Sequence, residues 1–349
     1  MIPASFKRYY QQKIAGTPRL SFLSIALLPL ALIYRFGYAW RESFLPKGYY
    51  RKRKAARPVV SVGNITCGGT GKTPFILYLH DYFKRHGKRS AVLTRGYGRD
   101  ETRMLQETMG EENVIIGADR YKKAKQYLRQ HDTDVFLMDD GFQHRGLARD
   151  CNIVLINGMN PFGNGLLVPA GTLREPLSML RRADLVVITH ADELMTAHER
   201  RIYRCIEKIE KKYKKKIPVV RSRHAPDSIY ESATKGVMRV EQLRGKQVIA
   251  FCGLGFADGF KKTLERIGVE LIEFVTLADH EPYTEEAVTQ LSDMRYHYPR
   301  ALYVTTEKDF VRNPHLLAEK LQVRVLKIKI ACIEGEEFLH GRLAACSHR

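Results

Sequence analysis

Apolar and polar positions along this chain fall into blocks that predict strands and helices in alternation. PVVSVGN at 58–64 is an apolar run into a glycine-rich loop, and a helical stretch follows from Lys72 to about His86. Ser90–Thr94 reads as a short strand ending in RGYG, and Val114–Ile116 as another, followed by a helix from about Arg120 to Gln130. Asp134–Met138 is apolar and runs into two aspartates; Asn152–Ile156 and Asp184–Thr189 complete the set of strands in this half. A long helix is expected over Ala191–Lys216. The pattern then restarts, with strands at Gln247–Cys252, Glu270–Val275, Ala301–Thr305 and Val323–Ile328 and helices at Ala257–Ile267 and Thr284–Tyr296. Strands alternating with helices predict an α/β fold with a parallel sheet covered on both faces. The expected organisation is a basic N-terminal segment at 1–57, a main domain at 58–220 and a smaller α/β lobe at 221–349 that completes a cleft.

The first block differs from the rest. Leu20–Tyr34 (LSFLSIALLPLALIY) carries no charge and is bracketed by Arg19 and Arg35. As a helix it would measure ~22 Å, short of the ~30 Å hydrocarbon core of a bilayer, and Pro29 is expected to kink it. The favoured reading is a helix lying in a membrane interface; a buried core helix, a signal peptide and a true span stay open.

Composition sharpens that choice. The 349 residues carry 58 Lys and Arg against 38 Asp and Glu, a net +20, which predicts attraction to a polyanion. Residues 1–57 hold twelve of the basic residues and only Glu42 as an acid, so +11 of the excess surrounds the apolar block. This favours an anionic membrane surface over nucleic acid, since aromatic residues are not interleaved with the basic runs. The basic run Lys211–Lys216 suits the end of a helix. The six cysteines form no CxxC pair, which argues against a disulfide framework or zinc ribbon.

The chemistry starts at Gly63-Asn-Ile-Thr-Cys-Gly-Gly-Thr-Gly-Lys-Thr-Pro74. A strand before it and a helix after it supply the context of a phosphate-binding loop. Gly68, Gly69, Thr70 and Gly71 are expected to present backbone N–H groups to phosphate, Lys72 to reach the β- and γ-phosphates, and the Thr73 hydroxyl to bind Mg²⁺. Asp139 and Asp140, at a strand end, fit a Walker-B partner for the metal. A P-loop alone leaves the reaction open. A GTPase is disfavoured because no Asn-Lys-x-Asp signature stands out, and a helicase because a second motif set is missing.

Taken with RGYG at 95–98, DDGFQHRGLARD at 139–150, FGNGLLVPAGTLREP at 162–176 and TTEKD at 305–309, the loop closely resembles that of the tetraacyldisaccharide 4'-kinase family. The resemblance covers essentially the whole chain. It implies a P-loop NTPase-like sheet lobe, and transfer of the ATP γ-phosphoryl group to the 4'-hydroxyl of a lipid, tetraacyldisaccharide 1-phosphate. It also implies an enzyme peripheral to the cytoplasmic face of the bacterial inner membrane. Carried over by motif, Gly68 to Thr73 hold ATP, Asp139, Asp140 and Glu175 serve the metal, Arg174 contacts phosphate, and Gln143 and His144 line the cleft. The family's general base is an aspartate paired with a histidine. His280 in LADHEPY supplies the histidine; the usual GDE motif is absent, so Asp100 in RDE is the favoured aspartate and Asp119 the competitor. The role of TTEKD stays open.

Overall fold

The computed structural model describes residues 22–44, 52–96, 98–234, 236–253, 257–277 and 283–347. His280, Asp279 and the basic residues before Phe22 lie outside them.

The strands are β1 (Val59–Asn64), β2 (Ser90–Thr94), β3 (Val114–Ile116), β4 (Val135–Asp139), β5 (Cys151–Asn157), β6 (Leu185–Thr189), β7 (Val219–Glu231), β8 (Val237–Met238), β9 (Gln247–Gly253), β10 (Glu270–Leu277), β11 (Leu302–Thr306) and β12 (Arg324–Glu334). The α-helices are α1 (Phe22–Ala26), α2 (Leu28–Phe44), α3 (Lys72–Arg85), α4 (Arg99–Met109), α5 (Arg120–Tyr127), α6 (Thr196–Tyr213), α7 (Ala257–Ile267), α8 (Glu285–His297), α9 (Glu307–Phe310), α10 (Pro314–Leu321) and α11 (Glu336–Ser347).

Two compact units divide the chain. The first holds Met1–Tyr97, Met109–Arg223 and Ile330–Arg349; the second holds Gly98–Thr108 and His224–Lys329. The sequence expectation placed all of 221–349 in one lobe and all of 58–220 in another, so two segments change sides. The last helix returns to the first unit because Leu339, Leu343 and Cys346 are buried and α11 packs on β1 and β5. Helix α4, where the apolar pattern predicts no element, belongs to the second unit.

In the first unit the sheet order is β7-β6-β5-β1-β4-β2-β3, with parallel pairing throughout. All six residues of β1 and all five of β6 are buried, which is why these strands read as continuous apolar runs: helices cover both faces. In the second unit β9 lies between β10 and β11, and β11 pairs β12 through Val304–Thr306, again parallel. Two apolar clusters flank that sheet, one around Leu243, Leu264 and Phe260, the other around Phe251, Leu291 and Tyr303.

From Phe22 on, the N-terminal apolar block is helical, with a one-residue interruption at Leu27 between α1 and α2. Pro29 sits in the first turn of α2, where a missing N–H costs no helical bond. Helix α2 runs on to Phe44, well past the uncharged stretch. No helix among the described residues is long and apolar enough to cross a membrane.

Candidate active site

Everything at the centre of the first unit hangs on the carboxyl end of β1. The loop after it closes onto α3 with Gly71 at φ +77°, a conformation costly for any residue with a Cβ. The loop is held from behind. Asn157 Nδ2 donates to the Gly69 carbonyl at 3.2 Å, Thr189 Oγ1 to that of Thr70 at 3.1 Å, and the Cys67 N–H to that of Thr172 at 2.6 Å. The space a Gly69 side chain would enter is empty to 4 Å. A small pocket beside it is lined by Thr66 to Thr70 with Asn157, Asn160 and Thr172. Thr70 Oγ1 is buried without a hydrogen-bond partner, as is Gln143 Oε1. Buried polar atoms of this kind, next to the N-terminus of a 14-residue helix, suit a phosphate ligand and its ordered water.

Strand β4 brings the acidic pair to the same place. Asp139 accepts from Thr94 Oγ1 at 3.0 Å. Asp140 sits at φ +47°, an unusual backbone for a residue with a side chain. Its carboxylate takes a bidentate pair from Arg174, at 2.7 and 2.9 Å, and lies 3.7 Å from Lys72 Nζ. Burial would raise the Asp140 carboxyl, but the Arg174 hydrogen bond and the Lys72 and Arg174 charges overcome it and hold it below the usual carboxylate range. Arg174 also donates to Asn64 Oδ1 at 3.2 Å, and Gln143 Nε2 to the Asn64 carbonyl at 2.9 Å. Lys72, Asp140, Arg174, Asn64 and Gln143 therefore form one connected polar cluster. Gly63 lets it close up: a Cβ there would lie 2.6 Å from Phe142 N. His144 follows Gln143; burial and the charges of Arg120 and Arg149 push its imidazole down to about 4, so it is neutral at pH 7.

Glu175 departs from expectation. It is 2% exposed, and its carboxylate pairs with Arg182 and lies near the Tyr38 hydroxyl. No group of three or more His, Cys, Asp or Glu among the described residues converges as a metal cage. Among the described residues Asp139, Asp140 and Glu175 do not form a three-carboxylate cage, and Glu175 is paired with Arg182. Burial raises its carboxyl above the ordinary value against the opposing pull of Arg182 and Arg145.

Tyr38 belongs to α2, so the N-terminal helix reaches this cluster. Tyr34 donates to the Arg174 carbonyl at 2.9 Å, Arg145 donates to Tyr38 at 2.8 Å, and Glu42 pairs with Arg145 and Arg181. The spacing of Tyr34, Tyr38 and Glu42 puts them on one face of α2.

The two candidate bases separate clearly. Asp119 is the N-cap of α5, accepting from the Lys122 N–H at 3.0 Å and from Arg53 at 2.9 Å. These contacts keep its carboxyl low. Asp100 lies in the first turn of α4, in the second unit, where Arg312 Nε donates to it at 3.2 Å. Asn64, Thr94, Arg182 and Tyr38 in the first unit, and Arg312 beside Asp100 in the second, are the neighbours that sequence reasoning missed. Asn64 alone carried a signal, as the second residue of the loop motif.

The comparisons with known proteins agree with one another. A family model described as Tetraacyldisaccharide-1-P 4'-kinase matches residues 23–346. The tetraacyldisaccharide 4'-kinase of Pelobacter propionicus is 33% identical over 94% of this chain and 95% of its own. That of Anaeromyxobacter dehalogenans is 34% identical over 95% and 90%. Among solved structures, LpxK from Aquifex aeolicus, an "apo" form in complex with ATP, aligns with a TM-score of 0.71 and 29% identity over 93% of this chain and 99% of that one. With a family model matched over nearly its full length, and relatives of this identity spanning both chains, the chain belongs to the tetraacyldisaccharide-1-P 4'-kinase family.

Proposed function

We propose that this protein transfers the γ-phosphoryl group of ATP to the 4'-hydroxyl of tetraacyldisaccharide 1-phosphate, giving lipid IVA. The observation that carries the reading is the cluster joining the Gly68–Thr73 loop, Lys72, Asp140 and Arg174 at the end of β1. Bound ATP supplies the phosphoryl group, and Mg²⁺ neutralises charge on its oxygens. The residues present fit such a pair. Mg²⁺ keeps several waters and takes one or two carboxylates rather than an all-protein cage. Thr73, at the start of α3, and Asp139, with Asp140 beside it, offer that limited set. Glu175, the further carboxylate that the family motif assigns to the metal, stands paired with Arg182.

The roles follow from position. Backbone N–H groups of Gly68 to Thr73 bind phosphate oxygens, aided by the α3 dipole. Lys72 and Arg174, now held by Asp140, are the cations available to stabilise charge that develops on the transferring group. Asp100 accepts the proton of the attacking hydroxyl, with His280 as its partner. Asp119, occupied as a helix cap, is left a structural role.

Helix α2 supports a peripheral membrane location at the cytoplasmic face of the inner membrane. Ile33, Phe36, Trp40 and Phe44 are 67, 73, 54 and 70% exposed and fall on one side of it. Such a face suits the headgroup–acyl boundary of an anionic membrane, with no nucleic acid involved. The test is direct: purified protein, ATP, Mg²⁺ and the disaccharide 1-phosphate in detergent should give a bis-phosphorylated product, and its absence sinks the proposal.

A further inference from the structure

TTEKD is the motif that the phosphoryl-transfer reading does not use, and within the second unit it ends at Asp100. Thr306 caps α9: its Oγ1 accepts from the Asp309 N–H at 3.1 Å and donates to Asp309 Oδ2 at 2.6 Å. The other oxygen, Asp309 Oδ1, accepts from the Gly253 N–H at 3.0 Å and pairs with Arg312 at 3.2 Å. Asp309 is buried, and the Arg312 side chain is 3% exposed. From this fixed seat Arg312 points its Nε at Asp100 Oδ2, 3.2 Å away.

The same segment grips helix α4 twice more. Lys308 lies 3.4 Å from Glu101, and Arg103 donates to the Val311 carbonyl at 3.2 Å. Three successive contacts thus tie the first turns of α4, whose sequence neighbours on either side belong to the first unit, to residues 308–312.

We propose that Arg312 is a positioning residue for the phosphoryl-transfer reaction. Anchored by Asp309, it fixes the rotamer and direction of the Asp100 carboxylate. The inference rests on the reading of Asp100 as the proton acceptor. Its physical basis is orientation: a carboxylate must meet the hydroxyl proton at hydrogen-bond distance, and a misplacement of ~1 Å can cost ~10²-fold in rate. A surface aspartate explores several rotamers; one bonded to a buried guanidinium that is itself paired with Asp309 does not.

The structure offers a test that removes no charge. A Cβ on Gly253 would lie 2.7 Å from one Arg312 nitrogen and 3.1 Å from Asp309 Oδ1, so Gly253→Ala crowds the Arg312–Asp309 pair while removing none of the charged groups. We expect Arg312→Gln and Gly253→Ala each to lower kcat at least about tenfold, with KM for ATP changed less than about twofold. Arg312→Lys should recover part of the loss. The deciding measurement is a double-mutant cycle with Asp100→Asn, with melting temperatures recorded for every variant. If Arg312 acts through Asp100, then Arg312→Gln in the Asp100→Asn background costs less than about twofold more. A full multiplicative loss there overturns the inference and leaves the base assignment standing. Wild-type turnover of Asp100→Asn overturns the base assignment, and this inference with it. Should Arg312→Gln fail to fold, the cycle is run with Gly253→Ala, and the same two results decide.

Discussion

The phosphate-loop cluster and the Asp100 cluster make opposite use of the chain. The first is built largely around one contiguous stretch, 63–73, with glycines and a helix start at fixed spacing, the end of β4 beside it, and Gln143 and Arg174 reaching in. The second joins Asp100, Gly253, Thr306, Asp309 and Arg312, whose extremes lie 212 residues apart, and it works through side chains anchored on one another and on the Gly253 N–H. A backbone site needs glycines and a helix start at fixed spacing, so it announces itself locally. A side-chain network needs only that distant residues meet, and no spacing rule marks it.

The comparison breaks first at Lys72. Lys72→Ala should lower kcat on the order of 10³-fold by removing a cation from the transferring group; turnover near wild type would mean that the local motif is present but idle. Next comes the contest between the two aspartates. Asp100→Ala should cost on the order of 10² in kcat with ATP affinity little changed. Asp119→Ala should cost about 1 kcal/mol of stability through the lost cap and leave turnover within about threefold. A crippled Asp119→Ala beside an active Asp100→Ala reverses the assignment. A third test asks whether α2 has one face for the protein and another for lipid. Phe36→Ser with Trp40→Ser should weaken partition onto anionic vesicles roughly tenfold while melting is unchanged, because both rings are already exposed. Unchanged co-sedimentation counts against the membrane face.

The smallest effect is in acid. His144 and His190 both stand near 4 in the folded protein, pushed down first by burial, against about 6.5 unfolded. Unfolded imidazole therefore takes up protons that the folded form refuses. The contribution of these groups is complete above pH 6.5 and is lost as pH falls toward 4. Melting should drop on the order of 5 °C across that window, and His190→Asn, which tolerates the φ of +52° there, should flatten the slope. A flat wild-type profile would show that burial of these rings is not maintained.

Legibility followed the same division. Strands β1, β2, β3 and β4 were readable because each is a short apolar run bounded by turn residues, and the parallel sheet followed from their alternation with helices. Helix α4 was missed because RDETRMLQETM is strongly polar and its apolar positions, Met104, Leu105 and Met109, are few; they are buried only through tertiary packing. Helix α11 was missed for a related reason: its place in the first unit depends on Leu339, Leu343 and Cys346 meeting a core laid down some 200 residues earlier. Glu175 reads by motif as a metal ligand; what no motif shows is its ion pair with Arg182, seven residues on, near Tyr38 of the N-terminal helix.

By itself the sequence determined the α/β class, the phosphate loop, the strand-end aspartates and the apolar N-terminal block, since periodicity, glycine and charge spacing act within a few residues of one another. Tertiary structure alone decided which residues leave their sequence neighbours: α4 for the second unit, α11 for the first, Glu175 for Arg182, and Asp100 for Arg312 on its Asp309 anchor. Those choices depend on which apolar faces and which buried charges find partners once the chain has closed. That condition is set by three-dimensional proximity, and the linear order of residues does not encode it in any local pattern.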